Sequence, residues 1–239
     1  MNNEVIFAVQ YTSDPLTNGF VDNQGNKLHL YFGMQYDTQA GMQRDVVNGR
    51  PFKRYMPTKY TLDVLFKDRE NDSRYKKTFK DTYLSNKPGT YNTSFDLSKS
   101  TVTYALGDTA IYLPGFDMSL ADRAKKKYQV LIPSRYDERI FLAINKHFDG
   151  GRVDRTQFEG GRDFIAFRLA DTYLMLAEAQ FFSGATADAA ATYNIVRRRA
   201  AWPGKESAML ITASQLNVNF VMDERERELL GEQSRWFDL

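Results

Sequence analysis

Residues 164–182 read FIAFRLADTYLMLAEAQFF, and residues 187–201 read ADAAATYNIVRRRAA. Between Tyr173 and Phe182 only Glu178 and Gln180 are strongly polar. A helix that is apolar all round is a buried helix, so 164–182 is expected as one. Ser183-Gly184 ends it, because glycine takes the left-handed C-terminal conformation without strain. Thr186 is placed to cap a second helix over 187–201. Its Ala189, Tyr193, Val196 and Ala200 recur at helical spacing and make a buried stripe. Small alanine positions let the two helices approach closely as an antiparallel hairpin. Trp202-Pro203-Gly204 breaks the pattern. Thr212 to Gln215 then has the spacing of a capping box, with Ile211 and Leu216 as its hydrophobic staple. A third helix is expected from about 213 to 231, with Val218, Met222, Arg225 and Leu229 along one stripe.

Two charges fall on apolar faces. A buried carboxylate must be paired or neutralised, and a buried guanidinium has the mirror problem. Glu178 is therefore expected to pair with Arg225 or with one of Arg197, Arg198 and Arg199, as an internal ion pair that fixes helix packing. Glu224, Glu228 and Glu232 follow at i, i+4 and i+8, interleaved with Arg225, Arg227 and Arg235. That pattern reads as a solvated or ion-paired helix face rather than as the carboxylate pair of a glycoside hydrolase.

Upstream, residues 4–11 (EVIFAVQY) alternate and are rich in strand formers. Residues 12–50 are polar, glycine-punctuated and loop-rich. Pro57-Thr58 opens a short helix through Leu65, and 74–84, 101–105, 109–113, 128–132 and 139–146 read as short extended pieces. Residues 148–162, with Phe148-Asp149-Gly150-Gly151-Arg152 echoed by Phe158-Glu159-Gly160-Gly161-Arg162, read as a loop. The expected fold is mainly α with irregular loops and a few short strands, in the α+β class. It is read as a single domain over 1–239, loop-rich over 1–162 and a three-helix packing unit over 163–239.

Composition narrows the function. The 239 residues carry 32 basic and 30 acidic side chains, a net charge of +2. Nucleic-acid binding calls for a clustered basic surface, which this balance does not point to. With no cysteine, disulfides, thiolate catalysis and cysteine-ligated metals are excluded. No run approaches the ~20 apolar residues of a membrane span. The acidic stretch Asp68 to Ser73 fails as an EF-hand, because Ser73 stands where glycine is required and Phe79 where the last loop ligand belongs. His29 and His147 have no ligand spacing, and no phosphate-binding glycine motif occurs, so no metal or cofactor is expected.

Aromatic side chains stand out, with 14 Tyr, 17 Phe and 2 Trp. Sugars offer C–H faces that stack on such rings. Tyr31, Phe32, Gln35 and Tyr36, in a glycine-punctuated loop, have the composition of a sugar site and are the candidate ligand-binding residues. The alternative is that Tyr31 and Phe32 anchor the loop in the core.

The chain also resembles the SusD/RagB family. Asp163-Phe164 and Arg168 to Ala179 are similar to that family's "DF…RYADVLLMYAEA", with Leu169 in place of the usual tyrosine. Ala190 and Tyr193 to Ala200 are similar to "A…N.VR.RAG", with Trp202 where glycine is common. Asp223-Glu224-Arg225, Glu228-Leu229, Glu232 and Arg235 to Leu239 are similar to "ER..EL..E..RW.DL". Glu4 to Tyr11 resembles the family's "EVIF" strand, and Pro57-Thr58 with Asp72 to Tyr75 and Thr78-Phe79 resembles "PT…DSRY..TF". Strand-like residues a few positions from the start and an abrupt stop at Trp236-Phe237-Asp238-Leu239 lead to the expectation of a C-terminal fragment. The resemblance implies a fold built on tetratricopeptide-like helix pairs. It further implies a surface lipoprotein of the bacterial outer membrane that captures glycan without catalysis and delivers it to a TonB-dependent transporter. A peptide-binding member of the family is one alternative, and a glycoside hydrolase is another from a different class. The family's binding residues vary and lie outside the motifs quoted, so none is carried over.

Overall fold

The structure is a computed structural model, and it describes residues 3–19 and 25–232. The chain divides into two compact units, one built from the described parts of Met1–Gln10, Asp63–Thr78 and Asp163–Leu239, the other from those of Tyr11–Leu62 and Phe79–Arg162. Helices predominate among the regular elements, with short strands in small sheets.

In the first unit the helix expected from 164 starts five residues later. Phe164–Arg168 is a strand, paired antiparallel with Val5–Val9 so that Val9 faces Phe164 and Val5 faces Arg168. Phe164, Ala166 and Arg168 are half-buried while Ile165 and Phe167 face out, a period of two that a helix cannot satisfy. The Leu169 N–H donates to the Glu4 carbonyl at 2.8 Å, and helix geometry begins there.

Helix Leu169–Phe182 buries Ala170, Leu174 and Ala177, but Met175, Leu176 and Phe182 are exposed. The expectation of burial all round is thus corrected: one stripe is buried within the unit and the opposite face is apolar and open. Gly184 takes φ +87° at the turn. The next helix is Thr186–Ala200. Thr186 is its first residue and not its cap, since Ala185 holds the cap position without a side-chain bond. Ala189, Tyr193, Val196 and Ala200 are all buried. The capping box at Thr212 and Gln215 is present, but it closes a single 3-10 turn, Ala213–Gln215. The third helix starts later, at Val218, where Asn217 Oδ1 accepts from the Phe220 N–H at 2.9 Å. Its buried stripe is Val221, Glu224, Arg225, Glu228 and Leu229. Val218 is exposed and Met222 half-buried, so the stripe is rotated from the one expected. Leu174, Ala177, Tyr193, Val196, Ile211, Val221 and Leu229 pack as the core of these helices.

A segment from far upstream completes this unit. Ser73 donates to the Ala200 carbonyl through its N–H at 2.9 Å and its hydroxyl at 2.7 Å. Residues Arg74–Thr78, expected as extended, form a short helix instead. Its position is fixed by the Arg74 side chain, which reaches the third helix.

The second unit is a set of short strands held by irregular segments. Phe79–Lys80 pairs with Ala143–Ile144, Gly89–Asn92 pairs with Thr101–Tyr104, and Thr109–Tyr112 lies between Thr82–Leu84 and Gln129–Val130. Tyr83 and Ile111 from these strands, and Leu113 and Leu142 next to them, are fully buried, as are Leu30, Met34 and Tyr36 from the glycine-rich stretch, and Tyr36 stacks on Tyr83. Residues 148–162 have no regular element, as expected for a loop.

Candidate functional site

Within the glycine-rich stretch Leu28–Tyr31 is a helical turn, and residues 52–55 run back along it. Phe52 and Lys53 donate their N–H groups to the carbonyls of Leu30 and Gly33, and Arg54 and Tyr55 both donate to Tyr31. Lys53 sits at φ +55°, in the left-handed region, which costs a non-glycine residue about 1–2 kcal/mol. That bend brings Phe52 and Tyr55 to the same side as Tyr31. Ring centroids are 5.8 Å apart for Tyr31 and Phe52 and 6.3 Å for Tyr31 and Tyr55.

The loop 148–162 contributes a fourth ring. Gln157 and Glu159 are buried, so in this extended segment Phe158 points the other way. Glu159 is held by Lys27 at 3.1 Å, and Gln157 accepts the Val153 N–H at 3.1 Å. Gly160 makes the close approach possible, because a Cβ there would lie 2.5 Å from the Asp149 carboxylate. Phe158 stands edge-on to Phe52 at 6.0 Å. Phe158, Phe52, Tyr31 and Tyr55 thus form a continuous strip of rings. With Lys27 and Arg54 they line an open depression of about 690 Å³. A second depression of about 470 Å³ shares Phe158 with it and is lined also by Asp37, Arg44, Arg50, Lys87 and Arg155.

Of the four residues singled out in the sequence, only Tyr31 lines this depression. Phe32 is 4% exposed and Tyr36 is 1% exposed, which corrects their assignment as ligand contacts. Phe32 stacks on His147 at 5.3 Å and supports Tyr55 from beneath at 5.2 Å. Tyr36 stacks on Tyr83 at 5.5 Å and donates its hydroxyl to the Gly49 carbonyl at 2.8 Å; burial drives its phenol well above the usual range. Gln35 is half-buried, with its side-chain oxygen 3.4 Å from Lys53 Nζ. Phe52, Tyr55 and Phe158 were missed. The run Phe52-Lys53-Arg54-Tyr55, aromatics bracketing bases, was the available signal for two of them.

The charged helix faces were also redistributed. Arg225 lies 3.3 Å from Asp171 and 3.9 Å from Glu178, whose side chain remains 35% exposed. The enclosed carboxylates are Glu224 and Glu228, so of the solvated or ion-paired face expected for them the ion-paired form holds, as a buried ionic lattice. Glu224 accepts from Arg74 at 2.9 Å, from Arg197 at 2.6 Å and from Arg227. Arg197 therefore serves Glu224, not Glu178. Glu228 accepts from Arg74 at 3.1 Å, Arg168 at 2.8 Å and Arg199 at 2.6 Å. Burial alone would raise both carboxyls, but the surrounding guanidinium groups outweigh it and hold each at about 2. Deprotonated and cut off from solvent, neither is suited to general acid catalysis.

Among the described residues no group of three His, Asp or Glu side chains is placed to hold a metal ion. The Asp68 carboxylate is taken by Asn71. His29 is buried beside Arg152, Asp149 and His147, and its imidazole is pushed down to about 4 by burial first and Arg152 second. Among the described residues no helix is long and apolar enough to cross a membrane.

The sequence model of the SusD family matches residues 3–239. Among solved structures, the chain is similar to a SusD superfamily protein from Bacteroides fragilis NCTC 9343, with a TM-score of 0.50 and 23% identity. That likeness covers 100% of this chain and 40% of the relative, so the chain spans about 40% of the relative's length. No curated protein matches the chain. With nearly every residue accounted for by the family model, the chain belongs to the SusD family.

Proposed function

We propose that this protein captures oligosaccharide nutrients at the bacterial outer-membrane surface, without catalysis, and delivers them to a TonB-dependent transporter. Family membership supports nutrient binding at the outer membrane. The observation that carries the ligand class is the strip of four rings, Phe158, Phe52, Tyr31 and Tyr55, along an open depression. An aromatic face against a pyranose C–H face gives stacking with little area buried. Lys27 and Arg54 at the edge supply donors to ring hydroxyls. Tyr31 and Phe52 are anchored through the backbone bonds of 30–33 to 52–55, so the surface is largely formed before ligand arrives. A shallow site of this kind binds in the micromolar range or more weakly. A surface lipoprotein, tethered by lipid beside its transporter, is the setting this role requires.

Isothermal titration calorimetry of the 239-residue chain against a panel of plant, algal and host polysaccharides tests the reading. Binding to at least one polysaccharide is expected, and Tyr55→Ala should weaken it by roughly tenfold. Tyr55 is 55% exposed, so its loss should leave the fold intact. Silence across the sugars, with binding of peptides instead, would overturn the glycan assignment.

A further inference from the structure

We propose that the glycan held in this groove is anionic, carrying carboxylate or sulfate groups on its sugar rings; this rests on the glycan-capture role above and names its substrate class. The whole chain is close to neutral, with 32 basic and 30 acidic residues. The two adjoining depressions are not. Lys27, Arg44, Arg50, Arg54, Lys87 and Arg155 line them, against one carboxylate, Asp37. That carboxylate is already occupied by Arg44, whose Nε and Nη2 donate to it at 2.9 and 2.7 Å. Lys27 is likewise engaged, with Glu159 behind the wall. Arg50, Arg54, Lys87 and Arg155 make no salt bridge among the described residues. Arg155 is offset in part by the coulombic pull of the adjacent Asp154; the cations around the groove otherwise repel one another, and an anionic ligand removes that repulsion.

Arg50 joins the two depressions. It lines the second, and its guanidinium carbon sits 4.9 Å from the Phe158 ring centroid and 5.8 Å from that of Phe52. A guanidinium held against two rings is pre-oriented, so less freedom is lost when it forks onto a carboxylate or sulfate. A uronic acid presents both required features within one residue: a C–H face for the aromatic strip, and a carboxylate projecting from the ring edge toward the neighbouring guanidinium. A neutral sugar engages only the first. A plain polyanion engages only the second.

The test is affinity measurement on the full chain with four probes. These are polygalacturonate, its carboxyl-reduced neutral form, chondroitin sulfate, and oligo(dT) as a non-sugar polyanion. Polygalacturonate or chondroitin sulfate should bind roughly tenfold or more tightly than the neutral polymer. That preference should shrink as salt is raised and should vanish in the double variant Arg50→Gln, Arg155→Gln. Polygalacturonate carries carboxylate alone and chondroitin sulfate carries both groups, so tighter binding of the second assigns part of the recognition to sulfate. Equal binding of the neutral polymer would overturn the anionic proposal while leaving glycan capture standing. Binding of oligo(dT) as tight as that of the charged sugars, insensitive to Tyr55→Ala, would overturn it as mere charge attraction. Binding of neither charged nor neutral sugar here or in the wider panel would remove the glycan role itself.

Discussion

Arg74 Nη1 donates to Glu224 Oε1 at 2.9 Å, joining a short helix near position 74 to the middle of the closing helix. Arg74 also grips Asp72 through Nε and Nη2, and Glu224 has no solvent exposure. Such a pair is weak proof of added stability, but removing one partner strands the other. Glu224→Gln is therefore expected to lower the unfolding free energy by about 3–5 kcal/mol, because Arg74 and Arg197 lose the charge they face. Glu178→Gln, at a half-exposed site 3.9 Å from Arg225, should cost under about 1 kcal/mol. Urea titrations of the two variants side by side check the ranking; equal losses would contradict it.

Acid should destabilise the fold in two stages. Folded His29 stays neutral down to about 4, against an ordinary value of 6.5. The unfolded chain therefore takes up a proton first, and lowering the pH through that window favours unfolding, by up to about 3 kcal/mol. Glu224 and Glu228 act in the next window. Their folded values near 2 lie below the ordinary 4.5, so their contribution is complete above 4.5 and drains away as pH falls toward 2. Thermal melts across this range should show a slope between pH 6.5 and about 4 that flattens in His29→Gln. The steeper fall below it should persist in that variant.

The cap of the closing helix is Asn217. Asn217→Ala removes the bond to the Phe220 N–H and is expected to cost about 1 kcal/mol. Thr212→Ala loosens only the single turn Ala213–Gln215 and should leave helix Val218–Leu229 in place. Circular dichroism with chemical denaturation separates the two, and a larger effect at Thr212 would refute the assignment.

Lys53 holds the aromatic strip through its left-handed backbone. Lys53→Gly keeps that conformation available and should change stability by less than about 1 kcal/mol. Lys53→Ile forces a β-branched residue into it, which should cost about 1–2 kcal/mol or more and weaken sugar binding as Phe52 and Tyr55 shift. Near-ultraviolet dichroism and calorimetry on the pair report both effects. Retained binding in the isoleucine variant would show that the bend is dispensable.

The helical hairpin was legible because its signals are local: Gly184 at the turn, and Ala189, Tyr193, Val196 and Ala200 at helical spacing. Residues 164–168 misled because five apolar-rich positions suit either period. Their state is decided by Val5–Val9, a partner at the other end of the chain. The same holds for charge. Glu178 lies among apolar neighbours in sequence, yet the enclosed carboxylates are Glu224 and Glu228, because Arg74, Arg168 and Arg197 converge on them from separate segments. At the candidate site, composition pointed to the right stretch but not to the right rings. Phe32 and Tyr36 lie within a few positions of Tyr31, and only the fold of 52–55 and 148–162 over that stretch decides which face water.

The pairing of Val5–Val9 with Phe164–Arg168 sets an order of events during synthesis. The ribosome makes Val5–Val9 before Phe164–Arg168, and the mate follows only after the intervening loops have emerged. Through that interval Ile6 and Phe7 have no strand beside them, and closing so long a loop is slow. The nascent chain must keep an unpaired strand edge from sticking to its neighbours until Phe164–Arg168 arrives, and Ile6 and Phe7 stay exposed even afterwards.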